Sequence, residues 1–220
     1  MPSAAVTRRR LLICSAALAL PSAVRAGAQQ YEPLADAVRG ALAAQIADSR
    51  PPVRRFERID ERLAFLAWTG EMSERLKARI TDYDARVEFL KTVDYESARA
   101  GLDRQLVLGL IQVESNFRKY AISIAGARGL MQVMPFWARL IGDGEPRHLF
   151  DMRTNLRYGT VILRHYLDIE RGDLFMALGR YNGSRGRPEY PNSVRAAWKN
   201  RWNYETKPTD PPVDPSRRIG

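Results

Sequence analysis

Apolar residues recur at helical spacing in one segment after another of this 220-residue chain, and no stretch alternates convincingly as a half-buried strand does. Such a chain must bury its apolar stripes helix against helix, so the expected fold is mainly α. From Pro33 to Ser49 the stripe is Leu34, Val38, Leu42 and Ile46, stopped by Pro51-Pro52. A second helix is expected over 57–68, with Ile59, Leu63 and Leu66 on one face. A third is expected over 71–92, with Leu76, Ile80, Tyr83, Val87 and Leu90. These residues form a helical extension, 29–93, in which no chemistry is evident.

The next helix, Asp103 to Phe117, is more informative. Asp103 suits its N-cap, because a carboxylate can accept from an orphan N–H of the first turn. Leu102, Leu106, Leu110, Val113 and Phe117 make one stripe, and Glu114 falls on its shoulder, where a carboxyl is partly desolvated. Gly126 and Gly129 mark a turn-rich segment, and Pro135 suits the first position of a short helix reaching Ile141. Asp151 is placed to cap a helix running to Glu170 with Leu156, Leu163 and Leu167 buried. Another starts near Asp173 and ends at Asn182-Gly183-Ser184, and a last one spans Val194 to Trp202. The proline-rich end, 203–220, has no apolar periodicity and is expected to be a disordered tail.

The N-terminus is a separate matter. Arg8-Arg9-Arg10, the apolar run Leu11 to Leu20, and small residues at Val24-Arg25-Ala26 and Ala26-Gly27-Ala28 read together as a signal peptide over 1–28. The apolar run is shorter than the about 20 residues that span a bilayer. Thr7-Arg8-Arg9-Arg10-Leu11-Leu12 also resembles a twin-arginine signal, the alternative to an ordinary secretory route. The expected product is exported and periplasmic. Cys14 is the only cysteine and would leave with the signal, so the mature chain could form no disulfide; bulky Ile13 before it argues against a lipid anchor. Removing the signal's four arginines from 35 basic residues leaves 31 against 25 acidic, an excess of six. That excess suits anionic partners, among which export makes nucleic acid the least fitting, or simply a solvated surface.

Three patterns carry the chemistry. Glu114-Ser115-x-Phe117 ends a helix. Gly126-Ala127-x-Gly129-Leu130-Met131-Gln132-x-Met134-Pro135 follows a loop, and Tyr181-Asn182-Gly183 precedes another. In this order they resemble the family 1 lytic transglycosylases, the soluble lytic transglycosylase catalytic domain with a goose-type lysozyme-like fold. The resemblance covers 94–202 as the catalytic domain and implies a helical fold holding a glycan strand in a cleft. The match departs from the usual A-Y-N-x-G, since this chain reads Arg180-Tyr181-Asn182-Gly183-Ser184.

Cleaving a glycosidic bond needs an acid for the leaving oxygen and a nucleophile for the oxocarbenium-like centre; ordinary glycosidases use two carboxylates. The motifs supply one, Glu114. The resemblance implies that the nucleophile is the C6 hydroxyl of N-acetylmuramic acid itself, so that peptidoglycan strands end in a 1,6-anhydro ring. It further implies substrate-side roles for Ser115, Ser123, Met131, Gln132 and Asn182, and for Tyr181 as the tyrosine that reaches the catalytic carboxyl. Met131 and Met134 are equally readable as core, and Asn155 and Tyr158 as packing. No cofactor is implied. His148 and His165, the only histidines, lie 17 apart with no cysteine partner, so no metal site is expected. The expected partner is the glycan strand, acted on by a monomer with room for peripheral contact with membrane or wall machinery. Two rival readings remain open. One is a lysozyme-like hydrolase recruiting Asp143, Glu145 or Asp151 to activate water, and the other is a non-catalytic wall-binding module.

Overall fold

The computed structural model describes residues 29–48, 50 and 55–205. The expected signal peptide and all but three residues of the expected tail lie outside them. Eight α-helices follow in order: α1 (Asp36–Ala47), α2 (Ile59–Leu76), α3 (Tyr83–Arg99), α4 (Arg104–Ser115), α5 (Pro135–Ile141), α6 (Met152–Ile169), α7 (Leu174–Asn182) and α8 (Glu189–Ala197). A 3-10 turn, Pro146–Phe150, leads into α6, and a π-helical turn, Trp198–Trp202, extends α8. The described residues form no named strand, only the isolated bridges Ile122 to Arg128 and Arg128 to Val133. The mainly α expectation holds.

Aspartates start four of the helices. Asp82, Asp103, Asp151 and Asp173 each accept a hydrogen bond from a first-turn backbone N–H. Each such cap stabilises its helix by about 1 kcal/mol. Three of these four starts, at Asp103, Asp151 and Asp173, fall where the sequence placed them. Asp82 does not belong to that set, because the third helix was expected to begin earlier, near residue 71.

The structure corrects two readings of the N-terminal part. α2 runs without a break through Thr69-Gly70 to Leu76, and the turn falls instead at 77–82. Its buried face is Phe65, Trp68, Met72 and Leu76, whereas Ile59, Leu63 and Leu66 are all exposed. The larger side chains of the first set bury more apolar area, and that gain outweighs the roughly 1 kcal/mol a helical glycine costs. α1 to α3 share the core with the later helices, through Leu42, Phe65, Trp68, Phe89 and Val93. Arg157 of α6 donates to Glu96 of α3 at 3.2 Å and to the Ile46 carbonyl at the end of α1 at 3.3 Å, a buried junction of three helices.

α4 is the centre of the molecule. Leu106, Val107, Leu108, Leu110 and Ile111 are consecutive or nearly so and all buried, so the helix is enclosed on every side. Gly109 lets α8 come close: a Cβ there would lie 2.8 Å from the Trp198 backbone nitrogen. Trp202 donates its indole N–H to Gln112 at 2.7 Å, and Phe117 meets the Trp202 ring edge-on at 5.2 Å. The chain after Trp202 is held as well, with Gln105 donating to the Tyr204 carbonyl at 3.2 Å, so ordered structure persists to the edge of the described residues.

The loop between α4 and α5 folds around Asn155 of α6. Its Oδ1 accepts from Met131 N–H at 2.8 Å, and its Nδ2 donates to the Arg128 and Leu149 carbonyls at 2.9 and 2.7 Å. Gly129, at φ +77°, has no room for a side chain, since a Cβ would lie 2.4 Å from Asn155 Nδ2. Asn155→Ala strands three backbone groups in the interior, each costing about 1–3 kcal/mol if left unpaired. With partial relaxation, the variant should lose about 3 kcal/mol in urea unfolding. A loss below about 1 kcal/mol would mean the loop is held by something else.

Candidate active site

Glu114 projects from the last turn of α4, where the unpaired carbonyls at the C-terminal end of a helix disfavour a negative charge. The residue is 4% exposed. Burial pushes its pKa up to about 8, against the opposing pull of one hydrogen bond from Tyr190. Tyr190 donates its hydroxyl to Glu114 Oε1, while Oε2 is buried without a partner. The group is therefore neutral at pH 7 and keeps one oxygen free. Directly after it, Asn116 and Phe117 both adopt left-handed backbone, φ +50° and +66°, which ends α4 abruptly and keeps Glu114 at its very tip.

The segment Leu130-Met131-Gln132 is gripped from three sides. Ser115 donates its hydroxyl to the Leu130 carbonyl at 2.7 Å, Tyr181 donates to the Met131 carbonyl at 2.8 Å, and Asn155 accepts from the Met131 N–H. Gln132 itself is left-handed at φ +48°, a conformation that costs a non-glycine residue free energy. Its side-chain amide donates to the Ala121 and Gly129 carbonyls at 3.1 and 2.9 Å, which holds the strained turn closed.

These contacts redistribute the expected roles. The tyrosine on the carboxyl is Tyr190, not Tyr181, whose hydroxyl is committed to Met131. Tyr190 escaped the sequence reading because it sits in Arg187-Pro188-Glu189-Tyr190-Pro191, which looks like a loop, and α8 was expected to begin only at Val194. The available signal was the spacing Tyr190, Val194, Ala197, which continues the buried face one turn upstream, with Pro191 tolerated in a first turn. Met131 is fully buried with its side chain against Gly159, where a Cβ would meet the sulfur at 2.3 Å, so it packs α6. Ser115 and Gln132 are likewise buried and spend their polar groups on the protein. Ser123 is half-buried and accepts from Ala127 N–H at 3.1 Å, closing its own turn. Asn182 donates to Ser184 at 3.1 Å and leaves its buried Oδ1 unpartnered.

The acidic residues that could serve beside Glu114 are engaged elsewhere. Asp151 caps α6, Asp143 pairs with His148 at 2.5 Å, and Glu145 pairs with Arg147 at 3.2 Å. No carboxylate contributes to the upward shift of Glu114, whose cause is burial.

Comparison with known proteins falls on the same residues. The profile of the Transglycosylase SLT domain matches residues 91–203, just over half of the chain. Membrane-bound lytic murein transglycosylase C of Mannheimia succiniciproducens is 43% identical over 84 residues, covering 34% of this chain and 24% of that protein. Its counterpart in Histophilus somni is 36% identical over 113 residues, covering 44% and 31%. The chain thus spans less than a third of the length of these two relatives. A crystal structure of lytic transglycosylase Slt from Pseudomonas aeruginosa aligns over 61% of this chain and 23% of that one, with 25% identity and a TM-score of 0.41. With the acid, the turn and the two tyrosines all inside the matched stretch, the chain belongs to the transglycosylase SLT domain family.

Proposed function

We propose that the protein is a peptidoglycan lytic transglycosylase that cuts the β-1,4 bond between N-acetylmuramic acid and N-acetylglucosamine without water. The observation that carries this reading is a buried, protonated carboxyl, Glu114, with one oxygen unpartnered and, among the described residues, no second carboxylate acting on it. Glu114 Oε2–H donates its proton to the departing N-acetylglucosamine oxygen as the C1–O bond breaks. The resulting Glu114 carboxylate then takes the proton from the C6 hydroxyl of the muramic acid, whose oxygen closes on C1. One proton is given and one recovered, so a single group serves as acid and base. Tyr190 steadies the carboxylate between the two steps through its hydrogen bond to Oε1.

A lysozyme-like hydrolase would need a second acidic group to activate water. The commitments of Asp143, Glu145 and Asp151 weigh against it. A purely wall-binding module would have no need to hold a carboxyl neutral at a buried helix end, since burying it costs stability. The membrane-bound naming of the relatives and the basic, apolar leader support an exported protein of the cell envelope, with a periplasmic site of action.

Mass spectrometry of digested sacculi should find 1,6-anhydro ends with the wild type and none above background with Glu114→Gln. Reducing ends in their place would establish the hydrolase, and no release by either protein would leave the wall-binding reading.

The raised pKa makes two pH predictions. The acid form is needed for the first step, so cleavage should fall as pH rises through about 8. Tyr190→Phe removes the bond that holds the pKa down, so this limb should move to higher pH while the rate drops about tenfold, one good hydrogen bond's share of a barrier. A downward shift would contradict the role given to Tyr190. Stability has a matching sign. A carboxyl with a raised folded-state pKa favours the fold fully below its unfolded value near 4.5, and that contribution is lost as pH rises to about 8. Glu114→Gln should therefore gain in Tm over wild type between pH 5 and 9, and a constant difference would refute the burial of a titrating group.

A further inference from the structure

The chain entering α1 does not run free over the surface. Residues 29 to 32 are bound to the turn that carries Gln132, to the start of α5 and to α7. Gln29, 4% exposed, donates its side-chain N–H to the Gln132 carbonyl at 3.4 Å and accepts from the Met134 N–H at 3.2 Å. It also interacts with the hydroxyl of Tyr181, offsetting part of the burial-driven rise of that phenol's pKa, and Tyr181 in turn feels the charge of Glu114. Tyr31 packs edge-on against Phe136 at the start of α5, with ring centres 5.7 Å apart. Glu32 forms a two-oxygen ion pair with Arg180 of α7 at 2.5 and 2.8 Å.

The chemistry of these contacts is specific. A primary carboxamide that accepts from one backbone N–H and donates to a neighbouring backbone carbonyl presents the same C=O and N–H pair as the acetamido group of an N-acetylated sugar. Its partners are the strained left-handed residue itself, Gln132, and Met134 two positions on. At the other end of the segment, Arg180 shares Glu170 with Arg185. Glu170 binds Arg180 at 2.8 Å and Arg185 at 2.7 and 2.9 Å. With Glu32 gone, Arg180, Arg185 and the exposed Arg187 face one carboxylate between them, around a pocket of about 310 Å³. Such an excess of guanidinium favours a carboxylate-bearing ligand. Arg180 stands at the alanine of the A-Y-N-x-G pattern, so the pairing with Glu32 coincides with this chain's own departure from it.

We propose that Gln29–Glu32 is an intramolecular substrate mimic. The Gln29 amide occupies the place of a sugar acetamido group, Glu32 occupies that of a carboxylate on the glycan's substituents, and a strand must displace both to reach Glu114. This rests on the glycan-cleft reading of the Glu114 site. The strap is a brake on the enzyme, in place until a ligand offering both an acetamido group and a nearby carboxylate outcompetes it. A chitin oligosaccharide, which offers only the first, should displace it poorly, whereas an uncrosslinked peptidoglycan strand should displace it well.

The test compares the full chain carrying Glu114→Gln with the same chain carrying Gln29→Ala and Glu32→Gln in addition. Binding is measured to soluble uncrosslinked peptidoglycan strands and to tetra-N-acetylchitotetraose. Freeing the strap should tighten binding at least tenfold, with the larger gain for chitotetraose, and in the Glu114 background it should raise the initial rate on sacculi. Hydrogen exchange at the Met134 amide supplies a readout independent of affinity: it should quicken when Gln29 is altered and slow again when glycan is added. Equal or weaker binding by the strap variant, with Met134 exchange unchanged, overturns the mimic while leaving the glycan cleft in place. If neither chain binds glycan and the wild type cuts no sacculi, the cleft reading itself is overturned, and the mimic with it.

Discussion

A carboxyl group at the last turn of an enclosed helix has no good place for a negative charge. It is buried, it lies at the carbonyl end of the helix dipole, and among the described residues one hydroxyl reaches it. Keeping it neutral is the cheapest solution, and most of the surrounding structure serves to maintain that environment. α4 is apolar all round so that its tip lies deep. The consecutive left-handed residues Asn116 and Phe117 turn the chain away before another helical turn could carry the carboxyl to the surface. Tyr190 is the one group that can share a proton's position with it, and its own ionisation is suppressed by burial and by the neighbouring carboxyl, so it acts as a donor throughout.

The second requirement is a rigid wall opposite the acid. The Leu130–Gln132 segment has almost no secondary structure of its own and sits in an unfavourable conformation at Gln132. It is fixed by side chains from three helices, Ser115, Asn155 and Tyr181, each bound to a main-chain atom. Conserving hydrogen bonds in this way frees the polar groups of the turn for nothing else. Residues that a motif reading assigns to the ligand, such as Gln132 and Met131, instead position the backbone that a ligand would meet.

Much of the scaffold was legible in the sequence because it depends on local chemistry. The caps Asp103 and Asp151, Pro135 at a first helical position and Gly129 in its left-handed turn each follow from one or two residues, and each stands where it was read. The misreadings arise where distant contacts decide. Ile59, Leu63 and Leu66 make a tidy helical stripe, yet the face bearing Phe65 and Trp68 is buried, because only the partner helices determine which of two apolar faces is covered. The expected gap between 68 and 71 lies inside one continuous helix. Tyr190 was missed because two prolines disguised a helix start. The link from Tyr181 to Met131 rather than to Glu114 is a choice between acceptors a few ångströms apart, which no pattern of residue types encodes.

The close passage of α8 over Gly109, with Trp202 bound to Gln112, has a consequence for how the site comes into being. A polypeptide is delivered from its N-terminus, whether by the ribosome or through a translocation channel. The acid, the strained turn and the supporting asparagine all arrive well before residue 190, but the hydroxyl partner of Glu114 and the indole that clasps its helix come from the last described helix and turn. Until those residues have emerged, α4 lacks one of its covering layers and Glu114 lacks its hydroxyl partner. The environment that keeps Glu114 neutral is therefore assembled only when residues 190–202 join the fold, although every residue of the earlier motifs is already present.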